Sequence, residues 1–167
     1  MGPRYGPGQP PRLRYWNYGR AGWYFVTFCT FLRRRSLTIE ISGRRLLTPQ
    51  GEITLAVWRA LPQRFSGLTL GPVAIMHDHV HALIRMPGQA DCQAMWRRHR
   101  GFVPMKTEAD LVLGEVVRTW KARATWEIRR TGDPLFRWQK RYYESIIRDT
   151  RHLRAVIRYI CRQSRTV

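Results

Sequence analysis

Two histidines separated by one residue are the first feature of this sequence with recognisable chemistry. His79 and His81 flank Val80 in the run His77-Asp78-His79-Val80-His81, which holds three of the chain's five histidines. Alternate side chains of a strand share a face, so the two imidazoles would lie about 7 Å apart at the backbone. Such a pair can bind one divalent ion, although a histidine pair with this spacing also arises by chance in many proteins.

A late segment of the chain carries a second group of chemically useful side chains. At about 100° per residue, His152, Tyr159 and Gln163 fall within roughly 40° of one another on a helix. Tyr159 and Gln163 lie one helical turn apart, so a phenol and an amide would be neighbours. A tyrosine beside an apolar stripe is commonly a half-buried core residue, and the feature that favours a functional role here is the amide one turn away.

Two elements must position these groups. The apolar runs over residues 68–76 and 79–86 predict a β-hairpin that carries the histidines. Asp149 is predicted to cap a last helix that carries the tyrosine. The apolar stripe of that helix consists of Leu153, Val156, Ile157 and Ile160.

The rest of the pattern predicts the element order β-α-β-β-α-β-α. Strands are predicted over residues 23–31 and 136–148, and an amphipathic helix over residues 116–128. Another helix is predicted to begin at the N-cap Thr48 and to end at Pro62. This order favours an α+β fold of ferredoxin-like or RRM-like type, an antiparallel sheet with helices packed on it.

The charge of the chain indicates a nucleic-acid partner. Thirty Lys and Arg residues against eleven Asp and Glu residues give a net charge of +19, which attracts polyanions. Residues 1–20, rich in Gly, Pro, Arg and Tyr, predict a flexible basic arm, and residues 21–167 are predicted to form one catalytic domain.

Several protein classes are disfavoured by the sequence. Its three cysteines form no Cys-x-x-Cys pair, which excludes a zinc ribbon. No apolar run approaches the roughly 18 residues of a membrane span, and we identify no signal peptide. We therefore expect no membrane partner and a cytoplasmic location.

Three blocks of this sequence resemble the HUH single-strand transposases and, among them, the REP-associated tyrosine transposases. The resemblance covers about residues 20–163, and the three blocks occur in the family's order. They read YFVTFCT (24–30), VAIMHDHVHALIRMP (73–87) and FRWQKRYYESIIRDTRHLRAVIRYI (136–160). His77 and Asp78 stand where the family has Pro and Asn, and the Asn-Pro pair that often follows the last helix is absent.

The resemblance implies an HUH endonuclease fold and a role for each matched residue. Tyr159 matches the family's nucleophile, while His79, His81 and Gln163 match the ligands of a divalent metal, Mg²⁺ or Mn²⁺. The implied enzyme is a transposase that cleaves and rejoins single-stranded DNA near hairpins through a 5′-phosphotyrosine intermediate. Family members act as monomers or as homodimers that exchange the tyrosine helix, and the sequence leaves both states open.

Basic side chains are the candidate DNA contacts, although each alone is more often a solvated surface residue. Those we select are Arg33, Arg34, Arg35, Lys121, Arg129, Arg130, Lys140 and Arg141. Two other functions remain open at this stage. One is a non-catalytic hairpin- or RNA-binding module on an RRM-like fold, and the other is a rolling-circle initiator or relaxase-type HUH nuclease.

Overall fold

The computed structural model describes residues 20–87 and 112–165, so the predicted arm lies outside the described residues except for Arg20. Six strands and three helices make up this part of the chain. In chain order they are β1 (Gly22–Cys29), β2 (Thr38–Ile41), β3 (Arg44–Leu47), α1 (Pro49–Arg64), β4 (Thr69–Ile75), β5 (His79–Met86), α2 (Leu113–Arg130), β6 (Tyr143–Ile146) and α3 (Thr150–Arg165).

Four antiparallel strands form the sheet that positions the candidate site, in the spatial order β4-β5-β1-β6. When only these four strands are numbered along the chain, the spatial order is 2-3-1-4. Along the chain, helix α1 connects β1 with β4, and helix α2 connects β5 with β6. This is the β-α-β-β-α-β arrangement of ferredoxin-like folds. The predicted α+β fold with an antiparallel sheet and packed helices is confirmed.

The two faces of the sheet bury different layers. One face packs against α1 and α2 through alternate residues of the two central strands, namely Tyr24, Val26, Phe28, Val80, Ala82 and Ile84. On the other face, Phe25 and Leu83 pack against Ile160 of α3. Because strand side chains alternate between faces, His79 and His81 lie on the α3 side.

Capping residues place the helices as predicted. The Thr48 hydroxyl oxygen accepts a hydrogen bond from the Gly51 amide at 3.2 Å, and Asp149 accepts one from the His152 amide at 2.7 Å. Each side chain satisfies a backbone N–H that has no partner within its own helix.

One predicted helix end was wrong. Pro62 lies inside α1, which continues to Arg64. A proline so near the end removes only one hydrogen bond of the last turn. The Phe65 amide then closes the helix on the Leu61 carbonyl at 2.9 Å.

The strand prediction over residues 136–148 was too long, because only Tyr143–Ile146 pairs as β6. The residues before it form an irregular segment with a single bridge between Thr30 and Trp138. The alternation that looked like a strand has another cause, since Phe136 and Trp138 are both buried in the core.

The hairpin β2–β3 was missing from the predicted element order. It forms a separate two-stranded ribbon, and its loop residues Ser42 and Gly43 have φ values of 51° and 74°. Positive φ at both loop residues is what a tight type I′ turn requires. The Ser-Gly pair between alternating apolar residues was the signal that could have revealed this hairpin.

Helix α1 packs closely on the loop before β2 at Gly51, where an added Cβ would clash with the Leu37 carbonyl oxygen. We expect Gly51→Ala to lower the free energy of unfolding by about 1–3 kcal/mol, despite the roughly 1 kcal/mol that alanine adds in helix propensity. Urea unfolding measures this change. Arg59→Ala, at an exposed position of the same helix, is the control, and an unchanged or more stable Gly51→Ala protein would contradict the close approach.

Candidate active site

The histidine pair lies at the start of β5. His79 and His81 are the cross-strand partners of Cys29 and Thr27 in β1. Their Nε2 atoms are 3.1 Å apart, and the ring centroids are 4.7 Å apart. The predicted placement of both imidazoles on one face is therefore confirmed, and their ring nitrogens converge on one point.

The other nitrogen of each imidazole is already bound. His79 Nδ1 lies 2.6 Å from the Asp78 carboxylate, which can only accept, so that nitrogen carries the proton. His81 Nδ1 lies 2.7 Å from the Thr27 hydroxyl. These contacts orient the rings and direct both Nε2 atoms inward, as outer partners do around metal-binding histidines.

Asp78 is itself held by three neighbouring groups. Its second carboxylate oxygen forms an ion pair with Arg33 Nε at 2.8 Å. Its backbone carbonyl accepts from the Thr30 amide at 2.9 Å and from the Thr30 hydroxyl at 3.0 Å. The sequence did not reveal this support, because Arg33 reaches Asp78 from a different loop.

The turn that carries Arg33 has an unusual backbone. Leu32 and Arg33, in a single 3₁₀ turn over Phe31–Arg33, have φ values of 54° and 56°. This left-handed conformation is costly for residues with a Cβ, and it persists where surrounding contacts enforce it. Here the guanidinium of Arg33 bonds both Asp78 and the Cys29 sulfur, the latter at 2.7 Å.

Tyr159 reaches the histidine pair from α3. Its hydroxyl lies 3.2 Å from His81 Nε2. The Phe25 ring stacks on His81 at 5.4 Å and meets the Tyr159 ring edge-on at 6.1 Å. The phenol and both imidazoles are thus brought together within one chain.

Burial sets the protonation states of these groups. Burial, with smaller contributions from His79 and Arg33, lowers the pKa of His81 to about 3. Burial also lowers the pKa of His79, although Asp78 opposes the shift. Burial raises the pKa of the Tyr159 phenol. The imidazoles are therefore neutral near pH 7, while the phenol must be activated before it can attack as a phenolate.

The donor set fits a divalent cation. Two imidazole nitrogens at neighbouring positions of an octahedral ion, each about 2.1 Å from it, lie about 3 Å apart, and the observed separation is 3.1 Å. In the absence of a cation, the same spacing suits a proton shared between the nitrogens. Within residues 20–87 and 112–165, no group of three His, Cys, Asp or Glu side chains gathers as a metal site.

Gln163 is the predicted third ligand, and no contact of its amide tests that role. The residue is half-buried one turn beyond Tyr159. Its backbone carbonyl accepts from Arg45 Nη1 at 2.8 Å, and the same nitrogen lies 3.3 Å from the Met76 sulfur. In the described part of the chain, the Gln163 amide makes no hydrogen bond to either histidine, so ligation by Gln163 stays a prediction.

The role of the predicted DNA contacts in binding stays a prediction, and four of these residues contact other groups of the protein. Arg33 and Arg34 form ion pairs with Asp78 and Asp133, and Arg129 donates to the Phe136 carbonyl. Lys121 donates to the carbonyls of residues 139–141. The exposed residues of the predicted set are Arg33, Arg34, Arg35, Arg129, Arg130, Lys140 and Arg141.

The fold is shared with solved transposase structures. One is a REP-associated tyrosine transposase bound to a REP hairpin, with a TM-score of 0.59 and 20% identity over 91% of this chain and 70% of that chain. Another is a candidate transposase from Deinococcus radiodurans R1, with a TM-score of 0.51 and 18% identity over 92% of this chain and 98% of that chain. At these identities the likeness shows the fold.

Sequence comparison finds a bacterial relative. An uncharacterized protein of Haemophilus influenzae is 28% identical over 151 residues, which is 89% of this chain and 83% of the relative. No family model matches the chain.

Among the described residues, no helix has the length and apolarity needed to cross a membrane.

The low pKa of His81 predicts a pH-dependent stability in the presence of a chelator. Below pH 6.5, the ordinary pKa of histidine, the unfolded chain binds a proton that the folded protein does not. The free energy of unfolding should therefore fall as the pH falls towards 3, by up to about 1.4 kcal/mol per pH unit from this residue.

His81→Asn should flatten this dependence, and denaturant unfolding at a series of pH values measures it. His152→Asn is the control, because His152 lies on α3 outside the histidine pair. Parallel curves for the original protein and His81→Asn would contradict the buried, neutral imidazole.

Proposed function

We propose that this chain is a transposase of the REP-associated tyrosine type, a metal-dependent endonuclease and strand transferase for single-stranded DNA near hairpins. One observation carries the proposal. The Tyr159 hydroxyl lies 3.2 Å from His81 Nε2, and that nitrogen lies 3.1 Å from His79 Nε2. A nucleophile beside a converging histidine pair is the arrangement that metal-assisted phosphoryl transfer needs.

Two further observations support a DNA substrate. A structure with the same fold is a REP-associated transposase bound to a REP hairpin. The net charge of +19 favours binding of phosphates. Both agree with the three sequence blocks that resemble this family.

His79 and His81 would hold the metal through Nε2, with the Gln163 amide as the third protein ligand. A bound Mg²⁺ or Mn²⁺ would neutralise the charge of the scissile phosphate and favour ionisation of the nearby phenol. Asp78 and Thr27 keep the histidine lone pairs directed inward. The phenyl ring of Phe25 shields His81 from water on one side.

Tyr159 would then attack the phosphorus in line. A bond forms between phosphorus and the phenolic oxygen, and the bond from phosphorus to O3′ breaks. The phenolic proton passes to water, and the departing O3′ takes a proton to become a free hydroxyl. The 5′-phosphotyrosine conserves the energy of the broken ester, so attack by a 3′-hydroxyl rejoins a strand without ATP.

An RRM-like binding module receives less support. Such modules stack bases on an open sheet face, whereas here α3 covers that face and Ile160 is buried against Phe25 and Leu83.

Incubation of the protein with labelled single-stranded hairpin DNA and Mn²⁺ should give a protein–DNA adduct that survives denaturation. Tyr159→Phe should abolish it, because the attacking oxygen is removed while the ring still packs on Phe25. A chelator should abolish the adduct in the original protein as well. Gel electrophoresis after denaturation measures both effects over a panel of hairpins from DNA flanking the gene.

Tyr143→Phe is the matched control, because Tyr143 lies in β6 outside the histidine pair, and it should keep the adduct. An adduct that persists in Tyr159→Phe would assign the nucleophile to another residue. Hairpin binding without any adduct would favour a module that binds but does not cut.

Because the Asp78 carboxylate orients His79, we expect substitutions of Asp78 to weaken metal binding to different degrees. Asp78→Ala removes the acceptor for His79 Nδ1 and should weaken Mn²⁺ binding by roughly 10–100-fold. Asp78→Asn keeps an acceptor oxygen and should lose less. Titration calorimetry with Mn²⁺ measures both, and equal affinities for Asp78→Ala and the original protein would show that the contact does not orient the ligand.

A further inference from the structure

A groove of about 860 Å³ runs between α2 and residues 137–142, and we call it the α2 groove. Its lining combines aromatic and cationic side chains, and among the described residues it includes no acidic one. The cations are Arg118, Lys121, Arg129, Arg130, Arg137 and Lys140. A groove with this charge is complementary to a chain of phosphates.

Trp126 gives the groove an exposed aromatic surface. The residue is 53% exposed, so this large apolar side chain forgoes much of the free energy that burial would provide. The Arg130 guanidinium lies 4.4 Å from the ring centroid. Single-stranded nucleic acids bind where bases stack on such rings while cations contact the backbone.

The walls of the groove are held in place before any ligand binds. Lys121 donates to the backbone carbonyls of residues 139–141, and Arg137 lies over the Phe31 ring at 3.8 Å. A prearranged wall loses little conformational freedom on binding.

The lining of the α2 groove contacts β1 at Cys29, near the histidine pair. The Gln139 amide, in the groove lining, donates to the Cys29 carbonyl at 2.9 Å. Cys29 is the cross-strand partner of His79, and Arg33 bonds both Cys29 and Asp78. The lining of the groove, on the α2 face of the sheet, is therefore linked through Cys29 and Arg33 to Asp78 beside the histidine pair.

We infer that the α2 groove binds an unpaired DNA strand, with one base stacked on Trp126. The choice of DNA rests on the proposed function. A single strand fits better than a duplex, because only unpaired bases can turn a free face to the Trp126 ring. Phosphates of the same strand then meet the cations along the groove.

Fluorescence anisotropy with a labelled oligothymidylate of about 15 nucleotides tests this site. The measurement uses Tyr159→Phe protein in a chelator, so that binding is separated from cleavage. Adding Trp126→Ala should weaken binding roughly tenfold, while Trp126→Phe should retain most of it because a ring remains. Circular dichroism checks that each variant is folded.

Arg123→Ala is the matched control. Arg123 is an exposed cation of α2 outside the groove lining and lies 3.8 Å from Glu127, so its loss should change affinity by less than about twofold. Equal loss in Arg123→Ala and Trp126→Ala would overturn the inference, because general charge would then explain binding. Unchanged affinity in Trp126→Ala, or tighter binding of a duplex of equal length, would also overturn it.

The result of the groove-binding test can be distinguished from the result of the adduct test of the proposed function. Suppose that the original protein forms no DNA adduct, while the Trp126→Ala variant binds oligothymidylate more weakly. The groove is then supported and the nuclease is not. If the adduct forms and Trp126→Ala binds normally, the nuclease is supported and the groove is not.

Discussion

The candidate site depends on the packing of α3 across the sheet. Ile160 is buried against Phe25 and Leu83, and the next residue towards the N-terminus is Tyr159, whose hydroxyl meets His81 at 3.2 Å. A shift of the helix by one residue would rotate the phenol by about 100° away from the imidazole. The apolar interface therefore fixes the position of a polar contact that is worth little by itself in water.

Short-range patterns in the sequence were enough to place most of this site. Alternation over residues 79–86 put both histidines on one face, and the helical spacing of Leu153, Val156, Ile157 and Ile160 oriented Tyr159. Asp149 marked the start of the helix, as its bond to the His152 amide shows. These features depend on residues close in sequence, which is why they could be predicted.

The parts of the site that the sequence did not predict depend on contacts between distant segments of the chain. Arg33 supports Asp78 from another loop, and Thr27 supports His81 across the β1–β5 pair. The residues around Arg33 and Thr27 in the sequence do not indicate these contacts, because nothing in the sequence distinguishes them from other exposed arginines or strand threonines. The overlong strand over residues 136–148 failed for a related reason, since the alternation of Phe136 and Trp138 reflects burial in the core rather than strand pairing.

Arg45 joins the separate β2–β3 ribbon to the end of the tyrosine helix. Its guanidinium caps the Gln163 carbonyl at 2.8 Å and contacts the Met76 sulfur. Carbonyls in the last turn of a helix lack intrahelical partners, and a cation placed there opposes fraying. The β2–β3 ribbon is not part of the main sheet, yet it holds the last turn of α3 in place through Arg45. A substitution that disrupts the ribbon would therefore loosen the end of α3 that carries Gln163.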